Sequence, residues 1–206
     1  MTSDILVAVY SGLADWEIGY VTVGLNSPAF QREPGRFRVR TIAETAAQIT
    51  TMGGLTVTPD LTLADADLDG AALLLLPGAD SWLEGEHTAF AQAAARRLDA
   101  GSPVAAICGA TVGLAAAGLL DTRAHTGNAP QQLAMAEAYR GESRFLPERA
   151  VVDQGLITAG AASPLEFARE IFRVLDVYEP DVLEAWYQFN ATGDPKWFFA
   201  LMEAVG

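Results

Sequence analysis

The chain has 206 residues, of which 50% are hydrophobic, and a formal net charge of −13 from 26 acidic and 13 basic side chains. That length suits one large domain or two small ones, with ample material for a core, and that apolar content excludes a disordered chain. A surface this acidic repels phosphate backbones and anionic lipid, so nucleic acid and membrane are set aside as partners and the charge is read as serving solubility. The apolar run Ala71 to Pro77 is too short to span a bilayer, and Met1-Thr2-Ser3-Asp4 lacks the basic start and apolar stretch of a signal peptide. The single cysteine has no partner for an internal disulfide, which suits a reducing compartment. The expected location is the cytoplasm.

In chain order, Asp4 to Tyr10 is a short apolar run that reads as a buried strand. A helix is expected from Asp15, as N-cap, to about Asn26. Pro28 to Gly35 is a loop, and Arg36 to Ala43 alternates into a second strand. Gln48 to Thr51 and Leu55 to Thr58 flank Gly53-Gly54 and read as a small hairpin. Asp60 to Asp69 is an acidic turn whose carboxylates lack calcium-loop spacing. Ala71 to Leu76 is a buried strand ended by Pro77-Gly78. Glu86 to Ala100 has the spacing of an amphipathic helix, with Phe90, Ala94 and Leu98 on one face.

Pro103 to Ile107 is a further strand, and Cys108-Gly109-Ala110-Thr111 opens a small-residue helix to about Gly118. A helix is predicted over Pro130 to Tyr139. Val151-Val152 and Leu156 to Thr158 are short strands about Asp153-Gln154-Gly155. Ser163-Pro164-Leu165-Glu166 has the form of a capping box with proline at the first helical position, starting a helix to about Leu175. Helices near Asp181 to Phe189 and from Asp194-Pro195 follow. Strands alternating with helices predict a single-domain three-layer α/β/α sandwich with a mostly parallel, flavodoxin-like sheet over residues 1–206, and a helical C-terminal extension from about 178 to 206.

The segment Pro103 to Gly113 carries the most information. A buried strand runs into a helix, with a nucleophile-type residue at the junction and small residues around it, as a tight elbow requires. A side chain there points out of the sheet's C-terminal edge, where open α/β sheets bind ligands. The helix N-terminus is expected to lower the thiol's pKa, and free amides there suit an oxyanion.

Leu75-Leu-Pro-Gly-Ala-Asp80, Ala105-Ala-Ile-Cys-Gly-Ala-Thr111 and Ala117-Gly-Leu-Leu-Asp121 together resemble the ThiJ/PfpI superfamily, over about Ile5 to Ala168. The resemblance implies the class I glutamine-amidotransferase-like fold, shared by relatives of the Parkinsonism-associated protein, PfpI-type proteases, isocyanide hydratases and glyoxalases. It implies that Glu17, in Asp15-Trp16-Glu17, hydrogen-bonds Cys108. It also implies oxyanion donors at Gly109 and at Ala79, which follows Gly78 in place of the family's second glycine. Many relatives carry a histidine next to the cysteine or about twenty residues after it. Here residue 109 is glycine and Asn128, a candidate oxyanion or substrate-binding residue beside Gly78, Ala79 and Gly109, stands near the later position. His125, three residues earlier, is the candidate base, with a purely structural histidine as the alternative; strand alternation puts His125 and Asn128 on opposite faces unless Gly127 makes a bulge. His87 reads as a loop or helix-start residue.

Two histidines and one cysteine lack zinc spacing, and no phosphate-cradling glycine loop is present, so neither metal nor cofactor is expected. The aromatic cluster Trp186, Tyr187, Phe189, Trp197, Phe198 and Phe199 reads as core or subunit contact, and relatives suggest a homodimer. Three functions stay open: a cysteine-dependent hydrolase, hydratase or glyoxalase-like enzyme on a small carbonyl or amide substrate; a redox or stress sensor using an oxidisable Cys108; and a non-catalytic binding module.

Overall fold

The structure is a computed structural model that describes residues 2–205; Met1 and Gly206, the ends of the expected domain, lie outside it. Seven strands form one sheet in the order β5-β2-β1-β6-β7-β9-β8. They are β1 (Ser3–Ala8), β2 (Phe37–Ala43), β5 (Leu61–Thr62), β6 (Leu73–Leu76), β7 (Val104–Ile107), β8 (Ala150–Asp153) and β9 (Leu156–Ala159). All neighbours are parallel except β8, which pairs antiparallel with β9 through the turn at Gln154-Gly155. Register places Ile5 between Val39 and Leu73. A separate two-stranded ribbon, β3 (Ile49–Thr50) with β4 (Thr56–Val57), is the hairpin expected about Gly53-Gly54.

The continuous apolar strands are explained by burial on both faces. Strand side chains alternate, so Leu6, Leu74, Leu76, Val104 and Ala106 enter the core beneath α2 (Thr88–Asp99) and α3 (Gly109–Ala116). Ile5, Val7, Leu73, Leu75 and Ile107 enter the opposite core beneath α1 (Gly19–Asn26) and α5 (Pro164–Val174). In α5, Phe167, Ala168, Ile171 and Phe172 lie fully buried at helical spacing, which places one stripe against the sheet. Burying each such aromatic or aliphatic side chain stabilises the fold by about 1.5–3 kcal/mol. α6 (Pro180–Thr192) then brings Trp186 to 5.1 Å from Phe172, and α7 (Pro195–Val205) closes the described chain. The C-terminal aromatics divide between two environments: Trp186 is buried, while Phe198 and Phe199 are exposed.

Several local expectations are corrected. Asp15 does not cap a long helix. A 3-10 turn over Asp15–Glu17 precedes α1, and Asp15 Oδ2 instead accepts the Gly53 N–H at 2.6 Å, tying the ribbon to the first crossover. Ser163 starts α5 as expected, but its hydroxyl makes no cap; proline at N1 suffices. The helix expected over Pro130 to Tyr139 stops after one turn, as α4 (Pro130–Leu133). No helix among the described residues is long and apolar enough to cross a membrane.

Candidate active site

β1, β6 and β7 deliver three chain crossings to one place at the sheet's C-terminal edge. Cys108 follows β7 directly and adopts φ 59°, ψ −126°, outside the regions open to L-residues. Such a backbone costs on the order of 1–3 kcal/mol and persists only where its surroundings over-determine it. Here the Cys108 N–H donates to Ala159 O at 3.0 Å, and the Cys108 carbonyl accepts from the Thr111 N–H at 3.1 Å and the Thr111 hydroxyl at 2.6 Å. The corner turns the half-buried sulfur away from the strand.

Glu17 reaches the same place from the 3-10 turn after β1. It is fully buried, and Oε2 accepts the Gly78 N–H at 2.5 Å; Oε1 has no partner among the described residues. Gly78 is glycine for a steric reason. A Cβ there would stand 2.7 Å from Cys108 Cβ and 2.9 Å from both Cys108 Sγ and Glu17 Oε2. A Cβ on Gly109 would likewise stand 2.5 Å from Ala79 O, so the two backbone segments touch. The Gly109 N–H is directed at the sulfur. The Ala79 N–H has no acceptor among the described residues.

Asn128 completes the group. Its Nδ2 donates to Cys108 Sγ at 3.4 Å, and its Oδ1 accepts the Ala161 N–H at 2.7 Å. Because a backbone N–H can only donate, the amide oxygen must face Ala161, which turns the NH2 to the sulfur. Beside Asn128 a cleft of about 450 Å³ opens, walled by Gly127, Arg149, Gly160, Ala161 and Ser163.

The electrostatics reverse one sequence expectation. The thiol is not acidified by the helix start: burial and then the Glu17 carboxylate push it up to about 11, against the pull of the Asn128 and Gly109 N–H groups. Burial also raises Glu17, to about 7, opposed by the Gly78 N–H and the thiol. The two groups therefore titrate as a pair that resists holding two negative charges. When Glu17 carries the proton, repulsion of a thiolate vanishes and a carboxyl O–H is available to donate.

Among the expected site residues, Cys108, Glu17, Gly78, Ala79, Gly109 and Asn128 gather at this point. His125 does not join them. It is fully buried, with Nδ1 on the Arg123 carbonyl oxygen at 2.8 Å and Nε2 on the Tyr139 hydroxyl at 2.7 Å. A carbonyl oxygen only accepts, so Nδ1 carries the hydrogen and Nε2 accepts from Tyr139. Burial lowers its pKa, and no hydrogen bond links it to Cys108, Glu17 or Asn128. The reason is topological: residue 125 bridges to Phe145, which turns the ring toward Tyr139 and Phe145. Sequence reasoning passed over Tyr10. Its hydroxyl donates to Pro77 O and accepts from Trp82 Nε1, bracing the peptide that leads into Gly78. An aromatic ending a strand carries no signal of that role.

Residues 3–174 match the model of the DJ-1/PfpI family. The chain belongs to the DJ-1/PfpI family. It is 38% identical over 206 residues to a Bacillus subtilis (strain 168) protein named "Uncharacterized protease YoaZ", covering 99% of this chain and 98% of that protein. A second protein of the same organism, named "Uncharacterized protease YdeA", is 30% identical over 190 residues, covering 91% of each. The crystal structure of a ThiJ/PfpI family protein from Bacillus anthracis superposes with a TM-score of 0.94 at 39% identity, covering 99% of this chain and 97% of that one. As a DJ-1/PfpI chain the molecule has the family's flavodoxin-like architecture. Among the described residues, no group of three or more His, Cys, Asp or Glu side chains is placed to hold a metal ion.

Proposed function

We propose that this chain is a cofactor-independent, cysteine-dependent enzyme acting on a small carbonyl-type or amide-type substrate, with Cys108 as nucleophile and Glu17 as the proton carrier. The observation that carries the reading is the contact of a strained, half-buried thiol with a fully buried carboxyl group raised to about 7, a value suited to exchanging protons at neutral pH. The names of two Bacillus subtilis relatives as uncharacterized proteases agree with a hydrolase at the level of reaction class.

In this reading Cys108 gives its proton to ionised Glu17 as the sulfur forms a bond to the substrate carbon. The carbonyl π electrons move to oxygen, where the Ala79 and Gly109 N–H groups stabilise the charge. Glu17 then returns the proton, either to that oxygen, which completes an addition, or to a leaving amine. An amide leaves an acyl-cysteine for water to hydrolyse. Asn128 has no basic site, so the arrangement offers one carboxyl group for all proton traffic. That favours addition to reactive carbonyl compounds, as in hydratase or glyoxalase-like chemistry, over cleavage of unactivated peptides.

A second reading is redox sensing. It is supported by the half-exposure of Cys108 and by a protonatable Glu17 placed to donate to a sulfinate oxygen. The test is turnover of 2-oxoaldehydes and activated amides by the wild type and Cys108→Ser. Turnover that disappears in the variant is expected; full activity in Cys108→Ser removes the sulfur from the mechanism, and absence of turnover in the wild type favours the sensor.

A further inference from the structure

A second cavity, of about 480 Å³, opens at the C-terminal ends of β1 and β2. No member of the Cys108 group lines it. Its apolar wall comes from Tyr10, Phe90 and Ile49, and Glu44 and Glu86 add carboxylates. No lysine or arginine lines it. The one ion-pair approach to Glu44 comes from His87 at 3.8 Å, and Glu86 has none among the described residues. Burial lowers the His87 pKa, which works against the ring carrying a charge that would offset the two carboxylates.

His87 supplies an independent sign of a ligand. Its side chain is only 9% exposed. Nε2 is engaged by Ser81 Oγ at 2.7 Å, while Nδ1 makes no hydrogen bond, since 3.8 Å to Glu44 Oε1 is too long for one. Ser81 is not a wall of the cavity and Glu44 is, so Nδ1 is the nitrogen on the cavity side. In the tautomer that donates Nε2–H to Ser81, Nδ1 presents its lone pair as an acceptor, and this is the form a cation selects. The ring is held there by stacking on Tyr10, at 4.0 Å between centroids and 23° between planes. Its backbone is in the left-handed region at φ 62°, fixed where α2 begins.

We propose that this cavity binds a small organic cation, an ammonium or guanidinium group carried on a flat apolar body. The cation's N–H groups donate to His87 Nδ1 and to the Glu44 and Glu86 carboxylates, which it neutralises. The apolar body lies against Ile49, the partly exposed apolar side chain of the cavity. Neither an anion nor a neutral hydrocarbon satisfies both the unpaired nitrogen and the two carboxylates.

The experiment is a titration of the intact protein with benzylammonium, followed by NMR of the histidine imidazoles. The chain has two histidines, so the signals are assigned by a His87→Gln variant. The expected result is a saturable shift of the His87 Hε1 signal with His125 unmoved, no comparable effect of neutral benzyl alcohol, and affinity reduced about tenfold in the E44Q/E86Q double variant, equivalent to about 1.4 kcal/mol. These carboxylates are at the rim, and an unchanged His125 signal certifies the fold of the variant. No shift at His87, equal binding of benzyl alcohol, or unchanged affinity in E44Q/E86Q overturns the proposal.

Discussion

Asn128 holds the Cys108 sulfur with one end of its amide and the Ala161 N–H with the other, at 3.4 Å and 2.7 Å. A neutral, non-titrating donor thus occupies the place where a proton acceptor was sought. Asn128→Ala removes one N–H from the sulfur and should raise the thiol pKa further. The alkylation rate with iodoacetamide, followed against pH, should fall several-fold below the plateau, with its midpoint moved upward. An unchanged profile would show that the 3.4 Å contact has no electrostatic weight.

Glu17→Gln should act in the opposite direction. With the thiol at about 11, roughly one molecule in a thousand carries thiolate at pH 8. The Glu17 charge is the second cause of that elevation after burial, so its removal lowers the thiol pKa and speeds alkylation about tenfold or more. Turnover should nevertheless fall, because glutamine carries no transferable proton. If alkylation slows in Glu17→Gln, the repulsion between the two groups is not what sets the thiol.

The same residue predicts a pH dependence of stability. Glu17 is raised in the folded chain from 4.5 to about 7, so between those values the native state holds a proton that the unfolded chain releases. Its contribution is fully present below pH 4.5 and is lost as pH rises through 7. The loss amounts to about 3 kcal/mol, at 1.36 kcal/mol for each unit. Urea unfolding at pH 5 and pH 8 should show the wild type losing more stability than Glu17→Gln by up to this amount. Parallel curves for the two proteins would refute the elevated carboxyl.

Gly78→Ala places a methyl group 2.9 Å from both the Cys108 sulfur and Glu17 Oε2. Overpacking of this kind costs about 1–3 kcal/mol. Circular dichroism should report a folded chain with a lowered melting temperature, while Cys108 alkylation and turnover change sharply because the sulfur and the carboxyl are forced apart. A variant with wild-type kinetics would mean that the two groups need not meet over Gly78.

His125 and Tyr139 should behave as structure. Tyr139→Phe leaves His125 Nε2 buried without a donor, at about 1–3 kcal/mol. His125→Ala leaves the Tyr139 hydroxyl without its acceptor and adds a cavity. Both should unfold at lower denaturant with specific activity per folded molecule unchanged. A fall in activity of 10² or more in a folded His125→Ala would restore the histidine as a base.

What the sequence determined by itself was local and periodic. Runs such as Leu73 to Leu76 and Val104 to Ile107, punctuated by Pro77-Gly78 and Cys108-Gly109, specify buried parallel strands and a strand-to-helix corner, because backbone geometry and side-chain alternation act over neighbouring residues. The partnership of Glu17 with Cys108 came from family resemblance, which placed Asn128 only near a relative's histidine; its contact with the sulfur came from the structure. Only the tertiary structure decided how those groups meet. Burial and the proximity of two titratable groups raised a thiol that the helix start was expected to acidify, because desolvation and like-charge repulsion depend on surroundings drawn from distant strands. The same dependence sent His125 to Tyr139, set Asp15 on Gly53 instead of a helix, and left His87 facing a cavity: each partner is remote in the chain or reached through a turn whose direction only the packed fold fixes.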